Sequence, residues 1–421
     1  MKRTLTALTL SAMLVIQSSA QWVATNGPFG GAVRKLAVIG TNLFAATDNV
    51  GVSLSTNNGT SWTVVNTGLP ANPLVHTLVA SGTNLFASVS ARGVYHSTDS
   101  GTSWTAINNG LTNTNVMALA VSGTNLFVAT MGGVFRSTDN GANWTLGSTD
   151  LTGTSVPSLA ISGSNVFAGT DGRGVFLSTN NGVNWAAANN GFPSPATTTV
   201  HSLLASAENV FAGYHRGVVL STNNASTWAA TNTGFPNATI NVMSLVASGG
   251  NLFAATSGSG VFRSTNNGAS WATFNTGLLN TTVMSLAVVG TELFAGTFGS
   301  GVWRQAIPTG VKEVSGTNPE TFSLEQNYPN PFNPSTRIKF RIGDVGGQRP
   351  TLSVAEGSEV SRVMLKVYDV LGREVATLVD EELEAGSYEV NFDARDLASG
   401  VYFYRMTVHG FADTRRLLLL R

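Results

Sequence analysis

The chain has 421 residues, 42% of them hydrophobic and 11% charged, with 46 glycines, 13 prolines and no cysteine. That composition is too apolar for a disordered chain and too glycine-rich for a helical one, so a loop-rich, all-β protein is expected. The missing cysteines exclude disulfides, thiolate zinc sites, cysteine nucleophiles and a lipidated N-terminal cysteine, while a formal net charge of zero leaves no basic surface for nucleic acid.

Residues 1–20 read as an export signal. Lys2 and Arg3 precede an apolar stretch from Leu5 to Ile16, and Ser18, Ser19 and Ala20 supply the small residues before an expected cut ahead of Gln21. The apolar core is too short for the roughly 20 residues that span a bilayer. A mature chain without a transmembrane segment, exported by the Sec route to the periplasm, is therefore expected.

Residues 21–305 repeat. Trp22, Trp62, Trp104, Trp144, Trp185, Trp228 and Trp271 are 40, 42, 40, 41, 43 and 43 residues apart. Phe44, Phe86, Phe127, Phe167, Phe211, Phe253 and Phe294 keep the same period. Each copy reads as four short strands: in the third, Val116 to Val121, Leu126 to Thr130, Gly133 to Ser137, and a fourth opening at Trp144. A four-stranded unit of this period is a propeller blade, so a seven-bladed β-propeller is predicted. The last copy stops at a third strand, Gly301 to Arg304, and Gln21, Trp22 and Val23 match a fourth. Opposite ends of the ring are expected to complete one blade.

Between third and fourth strands stands an octet, as in Ser55, Asn57, Gly59, Ser61 and Trp62, repeated around Asp99 and Trp104, Asp139 and Trp144, Asn180 and Trp185, Asn223 and Trp228, and Asn266 and Trp271. The Asp or Asn is expected to accept from N–H groups two residues on, Gly to supply positive φ, and Trp to cover the hairpin. Ala225 stands where Gly is the rule. With Asn at four of six copies, no metal is expected here, because calcium prefers several convergent carboxylates. These octets resemble the Asp-box, or bacterial neuraminidase repeat, of sialidases and many unrelated propellers.

That resemblance implies a ligand face opposite the boxes, built from second-to-third-strand and fourth-to-first-strand loops. The second-to-third loops carry Arg92, Arg173, and Tyr214 with His215 and Arg216, which become the candidate ligand-binding residues; Asp48, Asn49, Met131, Asp171 and Phe298 share those loops. A sialidase would use an arginine cluster and a Tyr–Glu pair. The propeller has only seven acids, however, and Glu208 and Glu292 fall in first-to-second turns, on the box side. No catalytic residue, cofactor or metal is assigned, and sialidase-like or other glycoside hydrolysis stays as the alternative. His76 and His201 are placed before first strands, and His96 at the end of a third. Arg136, Arg263 and Arg304 share one third-strand position and read as a solvated edge. With 15 charged residues in 285, the propeller surface suits glycan or protein contact.

Residues 306–322 read as a linker and 323–421 as a small immunoglobulin-like β-sandwich. There the charged count rises to 29 in 116 residues. The prolines of Asn327 to Pro334 imply extended, unpaired backbone. Strands are expected over Thr336–Ile342, Val363–Asp369, Glu374–Val379, Gly386–Phe392, Gly400–His409 and Thr414–Leu420. Asn327 to Ser335, Val367 to Glu374, Leu397 to Tyr402, and Arg415 with Arg416 closely resemble the type A C-terminal sorting domain of the type IX secretion system, with a longer insertion over 344–361. The resemblance implies recognition by that machinery and a place outside, or on the outer surface of, a gram-negative cell. The expected function is a non-catalytic binding or adhesion propeller; a structural surface component is a further alternative.

Overall fold

A computed structural model describes residues 21–420 apart from 207, 237, 238, 249, 308–311, 316–318, 320, 344–360, 384, 395, 396 and 409. The export signal and nearly all of the 344–361 insertion lie outside the described residues. Among those described there is no α-helix, and no helix is long and apolar enough to cross a membrane.

Seven four-stranded antiparallel sheets occupy the described residues up to Ala306. The first comprises Val33–Ile39, Asn42–Thr47, Gly51–Ser55 and Thr63–Val64. The seventh draws its first three strands from Val283–Ala306 and its fourth from Val23–Ala24, with Val23 opposite Arg304. The first strands of the seven sheets touch one another in chain order, and that of the seventh touches that of the first, so they enclose a common axis.

The core lies between neighbouring sheets. Second strands such as Leu43, Phe44, Ala45 and Ala46 are buried on both faces, so they read as unbroken apolar runs without alternation. Clusters cross each junction, and the seam is no exception: Val33, Leu36 and Leu43 pack with Ala287, Phe294 and Val302. Tryptophan does more than cover its own hairpin. The indole N–H of Trp104 donates to Val65 O at 2.8 Å, that of Trp144 to Ile107 O at 2.6 Å and that of Trp271 to Thr231 O at 2.9 Å, bolting the second, third and sixth sheets to the ones before, whereas the buried Trp185 indole finds no acceptor among the described residues. Trp22 repeats this on Phe274 O at 2.7 Å.

The octet closes over four residues, not the expected two. Ser55 Oγ accepts from Gly59 N at 2.8 Å, and Asn57 Oδ1 accepts from Ser61 N at 2.9 Å. Asn and Asp interchange because the serine hydroxyl turns round: Asn57 Nδ2 donates to Ser61 Oγ, whereas Ser103 Oγ donates to Asp99 Oδ2. Ala225 holds φ 65, with the left-handed strain expected of it.

The C-terminal part is two four-stranded sheets over one core that includes Phe340, Leu365, Val390 and Tyr404. Two expectations are corrected. Lys312–Ser315, inside the expected linker, is a strand paired with Gly386–Asp393. The proline-rich segment is also paired: Tyr328 bridges Arg337, and Phe332 bridges Leu419, with Phe332 N donating to Leu418 O at 3.0 Å. Proline forbids pairing only at its own nitrogen, and the residues between prolines remain free to bond.

Candidate functional site

Topology places the fourth-to-first and second-to-third connections on one face of the ring and the octets on the other. The first strands begin at the former face, and there six of the seven carry a bulge. Arg34, His76, Met117, His201, Met243 and Met284 are each skipped by the ladder: Val33 opposes Thr47 while Lys35 opposes Ala46, and the other five repeat this shift. In the fourth sheet Pro157 holds the equivalent place and regular pairing starts at Ser158, as expected of a residue with no N–H to donate. A bulge kinks its strand and re-aims one side chain.

All seven residues are half-buried at the starts of the first strands. The preceding residue is valine throughout, while this one varies among Arg, His, Met and Pro. Arg34 makes a two-pronged ion pair with Asp48, whose second bond, from Nη2 to Oδ2, is 2.9 Å. Burial lowers the pKa of His76, with the Arg34 charge adding to the effect and Asp48 opposing it. Burial likewise lowers that of His201, against the pull of Asp171. Both histidines lie within first strands, not ahead of them as expected, and both are held toward the neutral form.

Of the expected ligand residues, Tyr214 does not qualify. It ends a strand, is 2% exposed and packs on Phe192 with ring centroids 5.9 Å apart. Burial pushes its phenol pKa up. Arg173 is exposed but occupied: its guanidinium donates to Asp150 O at 2.9 Å and Thr154 Oγ1 at 2.7 Å, and lies 4.6 Å above the Phe176 ring. Arg92 and Arg216 are exposed and His215 half-buried, and neither of these arginines has an ion-pair partner among the described residues. The supposed solvated edge is also corrected. Arg136, Arg263 and Arg304 sit on inner third strands, with Arg136 bonded to Asn181 O, Arg263 to Asn251 Oδ1, and Arg304 paired with Glu292 at 3.4 Å.

Reading the loops alone missed the bulged residues. Their signal was present as a varied position between a constant valine and a constant leucine two residues further on. Among the described residues no three His, Asp or Glu groups gather as a metal site.

The molecule is thus a β-propeller followed by a C-terminal β-sandwich. Residues 94–212 match the DUF6242 beta propeller domain, and residues 326–419 match the secretion system C-terminal sorting domain. No curated protein matches the chain. Among solved structures it is similar to PorZ, an essential surface component of the type IX secretion system of Porphyromonas gingivalis, at 18% identity over 95% of this chain and 61% of that one, with a TM-score of 0.55. The chain therefore spans about three fifths of the PorZ chain's length. A YCF48 structure bound to D1 peptide aligns at 14% identity over 69% of this chain and 98% of that one, TM-score 0.57. The GH74 xyloglucanase from Xanthomonas campestris aligns at 13% over 77% and 60%, TM-score 0.55. At these identities the likeness concerns the fold, which a surface component, a peptide-bound protein and a glycosidase share.

Proposed function

We propose that this chain is an exported, non-catalytic binding module: a seven-bladed Asp-box propeller that offers its loop face to a glycan or protein ligand, delivered to the cell surface by the type IX machinery that reads its C-terminal domain. In this reading residues 1–20 are a Sec signal and residues 21–305 the wheel. The sorting unit takes in the Lys312–Ser315 strand.

The observation that carries the binding role is the repeated bulge. Six sheets interrupt an otherwise regular ladder at the same place, and the side chain delivered there is Arg once, His twice and Met three times. A purely structural device would keep its residue as constant as the flanking valine. The two carboxylates on the second-to-third loops support the same reading, since Asp48 is tied to Arg34 and Asp171 to Thr199 Oγ1.

The test is binding of the full chain to glycan and peptide arrays, repeated with His76→Ala and Met243→Ala. Loss of binding in either variant, with unfolding temperature unchanged, is expected. Turnover of a glycoside that stops in Asp48→Asn or Asp171→Asn would replace the reading with the hydrolase alternative.

A further inference from the structure

The loop face is divided. Through the connections 231–236, 239–241, 257–259, 274–282, 298–301 and 25–32, which serve the sixth, seventh and first sheets, there is no Asp, Glu, Lys, Arg or His. The same sector exposes large apolar side chains: Leu279 is 86%, Phe29 67% and Phe298 58% exposed. Backbone contacts bring them together. Asn280, next to Leu279, donates through Nδ2 to Phe298 O and Ser300 Oγ, both at 2.9 Å, and Phe298 N donates to Thr282 O at 3.0 Å. Phe298 also bridges Ala32, three residues beyond Phe29.

Charge returns at the two flanks of this sector. The first sheet contributes the Arg34–Asp48 pair, which neutralises itself, and Lys35, whose pKa burial lowers. Beyond it, on the second sheet, stands Arg92; on the other side, on the fifth, stands Arg216. Both guanidiniums are exposed and lack ion-pair partners among the described residues. An apolar patch of three aromatic and aliphatic side chains, set between two cations, is a pattern of recognition and not of solubility.

Resting on the loop-face reading above, we infer that the occupant is a polypeptide segment with an aromatic or aliphatic centre and a carboxylate toward each end. Apolar side chains cover Leu279, Phe29 and Phe298, and the acids reach Arg92 and Arg216. A neutral glycan would leave both guanidiniums unanswered. The sector's own Asn280 amide favours it less as well, since its Nδ2 is spent on Phe298 O and Ser300 Oγ.

A displayed library of random dodecapeptides, extended reach about 40 Å, panned against the full chain tests this. Enriched peptides are expected to combine Phe, Trp or Leu with flanking Asp or Glu. Their affinity should fall roughly tenfold in Phe298→Ser and severalfold in Arg92→Ala or Arg216→Ala, and only the arginine effects should shrink in added salt. Enriched peptides lacking acids, or indifferent to all three substitutions, overturn the inference. Binding on a glycan array without peptide enrichment overturns it too, while leaving the binding function intact. Silence on both arrays overturns the binding function as well.

Discussion

Ser285 and Leu36 belong to the last and first sheets of the ring, and the Leu36 N–H donates to Ser285 Oγ at 2.9 Å. The same bond joins Leu286 to Ser244 at 3.2 Å and Leu245 to Ser202 at 3.0 Å. The seam is therefore held as an ordinary junction between sheets is held. Because Ser285 is buried, Ser285→Ala leaves a buried N–H without its acceptor. A loss of about 1–3 kcal/mol is expected in urea unfolding, and an unchanged midpoint would show that the seam does not depend on this bond.

The two tryptophans flanking the seam should differ in cost. Trp22 is buried with its indole bonded to Phe274 O, whereas Trp62 is only partly buried and has Thr25 Oγ1 at 3.4 Å. Trp22→Ala is expected to cost about 3–5 kcal/mol, within the range for a large aromatic removed from a core. Trp62→Ala should cost distinctly less. Equal losses of thermal stability would contradict the bolting role assigned to the indole.

Ala225 shows that the octet's glycine position admits a methyl group where space allows. At Gly101 a Cβ would meet nothing nearer than 3.2 Å, at Val65 Cγ2, but at Gly141 it would fall 2.2 Å from Ile107 Cδ1. Both sites hold positive φ, so Gly101→Ala should cost about 1–2 kcal/mol from backbone strain alone. Gly141→Ala must in addition displace Ile107. Calorimetry that ranks the two in the opposite order would refute the packing argument.

Acid should act on the octets of the second and third copies. The Ser103 hydroxyl and amide bonded to Asp99 draw its carboxyl down to about 2, and bonds from Ser137 and Asn143 do the same for Asp139. A depressed folded-state pKa contributes stability above the ordinary carboxylate value of 3.8 and loses it as pH falls toward 2. Asn already serves in the other four copies. Asp99→Asn with Asp139→Asn should therefore flatten the stability profile between pH 4 and 2, seen as a smaller drop in unfolding temperature than wild type shows.

Tyr404 anchors the start of the sorting motif. Its buried hydroxyl donates to Glu325 O at 2.7 Å and accepts from Asn327 N at 2.8 Å, and burial pushes its pKa up to about 12. Tyr404→Phe strands both backbone groups, at an expected cost of about 1–3 kcal/mol. Less protein should reach the cell surface, measured by surface labelling of intact cells. Normal delivery with lowered stability would separate the anchor from recognition.

Much of this was legible beforehand for a stated reason. Strand period, octet and sorting motif are local, carried by residues a few positions apart, and the half-blades at Trp22 and Trp303 declare their fit by being complementary fractions of one repeat. Partnering is not local. Tyr214 reads as a loop tyrosine until Phe192, itself edge-on to Trp228, packs against it, and Arg173 as a free cation until Asp150 and Thr154 claim it.

From its order of residues alone, then, this protein determines a β-rich wheel with a sorting tail, because hydrogen-bonded turns and apolar runs recur at fixed spacing. Only the tertiary structure decided which side chains the bulges re-aim and where an uncharged sector opens between Arg216 and Arg92. Those outcomes depend on how strands pair, as Val33 with Thr47 at the first bulge, and on which polar groups find partners once the sheets have met.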